Sequence, residues 1–141
     1  MSSPDIKVNV KGVAPTPEGF GVFLEGADKI IAIFVDKNVG TAIAMMLQDI
    51  ATSRPLTHHT IGHILVGLDV KVVKTVVNDL RDDTFYARIF LKQENELGRK
   101  AIEIDTRPSD AIAIALQQKA PIYVSPAVWD EAEDMTWALK E

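Results

Sequence analysis

Residues 6–13, IKVNVKGV, alternate apolar and polar side chains, the period-two signature of a half-buried strand. The segments GFGVFLE (19–25) and KIIAIFV (29–35) flank EGAD and predict a hairpin. After Asp36 the period lengthens. Val39, Ile43, Met46, Leu47 and Ile50 recur at helical spacing, with Asn38 as the candidate N-cap. Arg54-Pro55 then ends that helix and opens a second, because proline suits the first helical position and pushes its predecessor out of the α region. In this second helix Ile61, Ile64, Leu65 and Leu68 are expected to form the buried stripe. His59 and His63 then project from the opposite side, and His58 sits at the stripe's margin.

Further on, DVKVVKTVVNDL (69–80) and TFYARIFLKQ (84–93) are β-rich and meet at Arg81-Asp82-Asp83. In the second of these, Phe85, Ala87, Ile89 and Leu91 share one face, and Tyr86, Arg88, Phe90 and Lys92 the other. ENELG is the next turn, leading into KAIEID. A third helix is expected from Pro108 to about Gln118. PIYV (121–124) reads as a short strand, and a C-terminal helix over about 126–139 is expected to carry Trp129 and Trp137. Hairpin-linked strands with helices set between them predict an α+β fold, a mostly antiparallel or mixed sheet with three to four helices packed on it. The length fits a single domain over residues 1–141.

Composition adds little to that picture, but charge placement does. The hydrophobic share is 47% and the charged share 25%, ordinary for a globular chain. Of the 20 acidic residues, Asp130, Glu131, Glu133, Asp134 and Glu141 lie in the last seventeen positions with a single lysine, so the body is close to neutral despite a net charge of −5. A nucleic-acid binder would need a local basic patch formed by the fold. Without cysteine there is neither a disulfide frame nor a thiolate metal site. No apolar run is long enough to span a bilayer, so no membrane partner is expected. The opening Met-Ser-Ser-Pro-Asp has no basic stretch followed by an apolar one, and a cytoplasmic location is the expectation.

Two corners concentrate the chemistry. His59 and His63 have the four-residue spacing that lets two imidazoles reach one metal, against the simpler reading of two solvated side chains. His58, in the first turn, is placed either for a defined structural hydrogen bond or for acid–base work. In DTRPSDA, Asp105 ends a strand, Arg107 precedes a helix, and Ser109 and Asp110 occupy its first turn. A guanidinium at a helix N-terminus faces the positive end of the macrodipole, so something negative must offset it. One reading is a capped, salt-bridged corner in which Asp110 pairs with Arg107 or Arg54. The other is a polar pocket where both arginines and both helix starts meet a phosphate.

The ordered set RPLTH, DDTFYARI, IDTRPSDAIAIAL and PIYV resembles the bifunctional nuclease family, over roughly Gly26 to Trp129. By match to those motifs, Arg54, Thr57 and His58 carry over from the first block and Asp105, Arg107, Ser109 and Asp110 from the third. Asp83, Thr84, Phe85 and Tyr86 carry over from the strand pair. The resemblance implies a nuclease cleaving phosphodiester bonds of RNA or DNA, with nucleic acid as partner. It implies catalytic roles for His58, Asp105 and Asp110, and phosphate binding by Arg54, Thr57, Arg107 and Ser109. A divalent cation such as Mg²⁺ or Mn²⁺, held by Asp105 and Asp110, is the cofactor it admits. Two departures stand out. The family usually has Asp where this chain has His59, and Ile-Gly-x-x-Glu-Ala where this chain reads VDKNVG, so Val39 and Gly40 replace Glu and Ala. A non-catalytic oligomeric scaffold and a small-anion or nucleotide-binding protein are the alternatives. The alternating strands and two tail tryptophans suggest self-association, a dimer first.

Overall fold

The computed structural model describes residues 4–139. In chain order the elements are β1 (Ile6–Thr16), β2 (Gly19–Glu25), β3 (Ile30–Asp36), α1 (Lys37–Leu47), α2 (Thr57–Gly67), β4 (Val70–Arg81), β5 (Thr84–Asn95), β6 (Gly98–Thr106), α3 (Pro108–Gln118), β7 (Ile122–Val124) and α4 (Pro126–Glu131). The strands form one mixed sheet in the order β3-β2-β1-β7-β4-β5-β6. Two antiparallel meanders, β1–β3 and β4–β6, are joined by β7, antiparallel to β1 and parallel to β4. The α+β expectation therefore holds.

Local chemistry explains the hairpins. Asp82 and Asp83 both have positive φ (49° and 62°), the left-handed pair of the tight two-residue turn that suits twisted strands, and Asp tolerates that region better than most residues. Helix α3 is almost wholly apolar along Ala111–Ala115 and is buried there. It packs between the sheet and helices α1 and α2. Its small alanines allow that close approach, and it ends on Lys119 in the left-handed conformation, with the Ala120 N–H donating back to Ala115 O at 2.9 Å.

Three expectations are corrected. Helix α1 is capped by Asp36, not Asn38: Asp36 Oδ1 accepts from Val39 N–H at 3.0 Å. Helix α2 starts at Thr57 with Leu56 as N-cap, so Pro55 lies outside the helix, not at its first position. Its inward residues are His58 and Gly62, while Ile64 and Leu68 are 56% and 58% exposed. Ile61 and Leu65 do pack against the main core, so the expected stripe is half right; α2 is apolar on several sides and only a narrow side meets α3, which leaves Ile64 and Leu68 in solvent.

The tail is likewise not one helix. Helix α4 stops at Ala132, which is extended, and a short 3₁₀ turn follows over Thr136–Leu139. Trp129 is 4% exposed; its Nε1–H donates to Asp28 at 3.0 Å, and the Lys29 ammonium lies 5.4 Å from its ring. Trp137 is exposed. The two tryptophans therefore do not act as a pair. Met135 and Ala138 cover Phe23, Ile30 and Ala32 on the sheet face opposite the other helices.

Gly40 lets α1 cross β2. A Cβ there would lie 2.3 Å from Phe20 Cδ2, inside van der Waals contact. Gly40→Ala is predicted to destabilise the fold by about 1–3 kcal/mol through overpacking. Urea unfolding measures this, and an unchanged midpoint would mean that Phe20 simply swings aside.

Candidate functional site

Helices α1, α2 and α3 all start at one cleft of about 870 Å³. Lys37, Asn38 and Thr41 of α1, Thr57 and His58 of α2, and Arg107 and Asp110 at the start of α3 line it, over a floor that includes Ile61, Ile89, Ile104 and Ile114. The free N–H groups of a helix start carry partial positive charge. Three such starts, two of them (α2 and α3) with no side-chain acceptor at the N-cap, give the cleft a field that favours an anion.

A chain of side-chain contacts crosses the mouth. His58 Nε2 lies 2.9 Å from Asp110 Oδ1. Arg107 donates from Nε to Asp110 Oδ2 at 3.2 Å and from Nη1 to Asp36 Oδ2 at 3.4 Å. The question posed by a guanidinium at a helix start is thus answered by two carboxylates. Asp110, mainly by accepting its hydrogen bond, raises the Arg107 pKa further. Asp36 is held below the usual carboxylate range, chiefly by the Val39 N–H, against a desolvation that pushes the other way and with the Arg107 charge adding to it. His58 is 7% exposed, its Nε2–H donates to the carboxylate of Asp110, and Nδ1 has no hydrogen-bond partner among the described residues.

The lowered Asp36 pKa has a stability consequence of fixed sign. The contribution is present above the unfolded-state value, near 3.8, and is lost as pH falls through the lower folded value. Between pH 5 and pH 2 the Asp36→Asn variant is predicted to lose less stability than the parent. Chemical-denaturation midpoints across that range measure it, and parallel curves would remove Asp36 from the acid response.

The structure brings together Thr57, His58, Arg107 and Asp110, but not the other expected residues. Asp105 is exposed and pairs in register with Arg88, whereas Ile104 and Thr106 beside it line the cleft; strand alternation puts Asp105 on the opposite face. Ser109 is buried in α3 away from the cleft lining, and Arg54 is exposed in the α1–α2 connection, with no ion-pair partner among the described residues. His59 and His63 do not form a metal pair: His59 Nδ1 accepts from Leu56 N–H at 3.0 Å, the reciprocal half of a capping box, and His63 is exposed. Asp83, Thr84, Phe85 and Tyr86 belong to the β4–β5 hairpin, outside the cleft. Sequence reasoning missed Asp36 and Lys37. The signal for Asp36 was an acidic residue closing a strand immediately before a helical period.

A divalent cation does not fit these side chains as arranged. Both oxygens of Asp110 and of Asp36 are already engaged, Asp105 is on the far face, and among the described residues no three His, Asp or Glu groups are placed to share an ion.

Fold and cleft together define a class: an α+β protein with a linked imidazole, carboxylate and guanidinium at the meeting point of three helix starts. Residues 22–136 match the family described as the bifunctional nuclease domain, and the chain belongs to that family. It is 32% identical over 123 residues to an uncharacterised protein of Mycobacterium tuberculosis, covering 81% of this chain and 71% of the relative. It is 30% identical over 104 residues to bifunctional nuclease 1 of indica rice, and 26% identical over 118 residues to bifunctional nuclease 2 of japonica rice. The matches cover 72% and 82% of this chain but only 30% and 35% of the two rice proteins.

Proposed function

We propose that the chain is a phosphodiesterase acting on nucleic acid, with its reaction centre at the cleft. The observation that carries this reading is the convergence of three helix starts on a cleft whose mouth already holds His58, Asp110 and Arg107 in contact. The apolar floor suits a base or sugar edge, and the helix starts with Thr57 and Arg107 suit the phosphate. Asp110 holds His58 through its Nε2–H, so Nδ1 is the atom that takes the proton from the attacking hydroxyl or water and returns it to the leaving alkoxide oxygen as the P–O bond breaks. Arg107 keeps Nη2 free of protein partners and offsets the charge gained by the phosphoryl oxygens.

The test is incubation of highly purified protein with single-stranded RNA and DNA, in EDTA and with added Mg²⁺ or Mn²⁺, beside Asp110→Asn and His58→Ala. Cleavage lost in both variants supports the reading. Cleavage unchanged in both, or absent under every condition, would overturn it. Absence with retained binding of a nucleotide would favour the anion-binding alternative, for which the same helix starts are the support.

A further inference from the structure

The face of the β1–β7–β4–β5 region opposite the cleft is finished differently from the rest of the sheet. Cross-strand register sets Lys7, Tyr123, Val76 and Arg88 in one row, and Lys74 opposite Phe90 in the next. Neighbouring strands lie about 4.8 Å apart, so the first row spans roughly 14 Å. Phe90 and Tyr123 are half-buried, and the Lys74 ammonium sits 4.9 Å from the Phe90 ring and 5.8 Å from the Tyr123 ring. A hollow of about 470 Å³ borders Lys74, Phe90 and Lys92.

The charges on this face are unbalanced where it matters. Lys7, Lys71, Lys74 and Arg88 have no ion-pair partner among the described residues, although the whole chain carries a net charge of −5. Lys71 and Lys92 face each other directly in register, a like-charge pair that costs stability, and Glu94 offsets only Lys92, at 2.8 Å. On the outer strand β6, Asp105 stands in register opposite Arg88 and Glu103 opposite Phe90, where Glu103 also borders the hollow, but neither acid is within ion-pair distance of a cation among the described residues. The other half of the same face carries apolar residues and is covered by the chain's own Met135 and Ala138.

We propose that this face is a platform for single-stranded nucleic acid, with bases stacking on Phe90 and Tyr123 and phosphates neutralised by Lys7, Lys71, Lys74 and Arg88. Aromatic rings interleaved with unpaired cations on an open sheet are the elements of sequence-tolerant strand binding, in which stacking and backbone charge act together. A polyanion complements the cations of this face, and a second copy docked here is the competing outcome that sedimentation tests. Lys74 leaves the rings for a phosphate as a base takes its place. This platform does not rest on the cleft reading: it holds a strand whether or not the cleft cleaves one.

The experiment is fluorescence anisotropy of the full-length protein with a labelled 2′-O-methyl oligouridylate, which resists cleavage, from 50 to 300 mM NaCl. The probe is compared with an abasic phosphodiester of equal length. The expected result is a dissociation constant that rises with salt. Lys74→Ala/Arg88→Ala is expected to weaken binding at least tenfold and flatten the log–log salt slope by about 1.4, near 0.7 for each lost phosphate contact. Phe90→Leu, which keeps apolar bulk, is expected to weaken the oligouridylate at least fivefold while leaving the abasic probe unchanged. Lys119→Gln, an exposed cation at the end of α3 and outside both the cleft and this face, is expected to bind as the parent does. Each variant's thermal melt is recorded, and Phe90→Leu is scored only if it melts like the parent; otherwise Phe90→Met replaces it. Overturning results are no binding at 50 mM NaCl, equal affinity for the two probes, parental binding by the double variant, or a dimer in sedimentation equilibrium that Lys74→Ala/Arg88→Ala dissolves.

Discussion

Replacing His58 with alanine is expected to lower the rate constant for phosphodiester cleavage by roughly 10²–10⁴-fold, the usual contribution of a positioned general base. The expectation follows from geometry. His58 lines the cleft and has its Nε2 tied to Asp110 at 2.9 Å, so the nitrogen left to take a proton is Nδ1. Asp110→Asn should fall in the same range, because an amide can accept from His58 or face Arg107 but no longer supplies the charge that both partners use. Arg107→Lys separates the roles: it keeps a positive charge but loses the fork that reaches two carboxylates, and should lower the cleavage rate constant by less than either of the other two variants. Single-turnover cleavage of a labelled oligonucleotide measures all three. A His58→Ala enzyme with the parental rate and pH profile would remove His58 from the chemistry and leave it as a buried support for Asp110.

The largest stability effect is expected far from the cleft. Trp129→Ala should cost about 3–5 kcal/mol, the range for emptying a buried aromatic site, and lower Tm on the order of 10–20 °C. Trp129 belongs to the main core, and its ring lies where a Cβ on Gly26 would come within 2.6 Å of it. Its Nε1–H holds Asp28, while Lys29 covers the ring and donates to Ala132 O at 2.9 Å, so one side chain fastens the C-terminal segment to the β2–β3 hairpin. Trp129→Phe retains most of the apolar contact and should cost less than half as much. Calorimetry decides it, and a Tm within about 3 °C of the parent for Trp129→Ala would mean that the segment docks without its tryptophan.

Elements with one dominant period were legible in the sequence. Phe85, Ala87, Ile89 and Leu91 alternate cleanly, and β5 buries Ala87, Ile89 and Leu91 while half-burying Phe85. Pro108 at the first helical position and the apolar run after Asp110 marked α3 from end to end. Helix α2 was legible in part: Ile61 and Leu65 reach the core, whereas Ile64, Val66 and Leu68 are as apolar and stay exposed, because the choice among them is made by what the neighbouring elements can reach. The site was half legible. His58, Thr57, Arg107 and Asp110 converge as their shared position at helix starts suggested. Asp105 was misplaced in thought because a strand's alternation sends neighbours to opposite faces, and Ile104 and Thr106 are the ones that look inward. His59 does the backbone job of a capping-box side chain, accepting from the Leu56 N–H through an imidazole.

Strand β7, three residues long, gives the molecule a seam. Each meander on either side of it is built from contacts close in sequence, across turns of a few residues, and such contacts form early. Ile122–Val124 follows α3 in the chain and bonds to Ile6–Val8 on one side and to Thr75–Val77 on the other. Folding is therefore expected to run as the zipping of two preassembled halves, with this stitch the one that makes them a single cooperative unit.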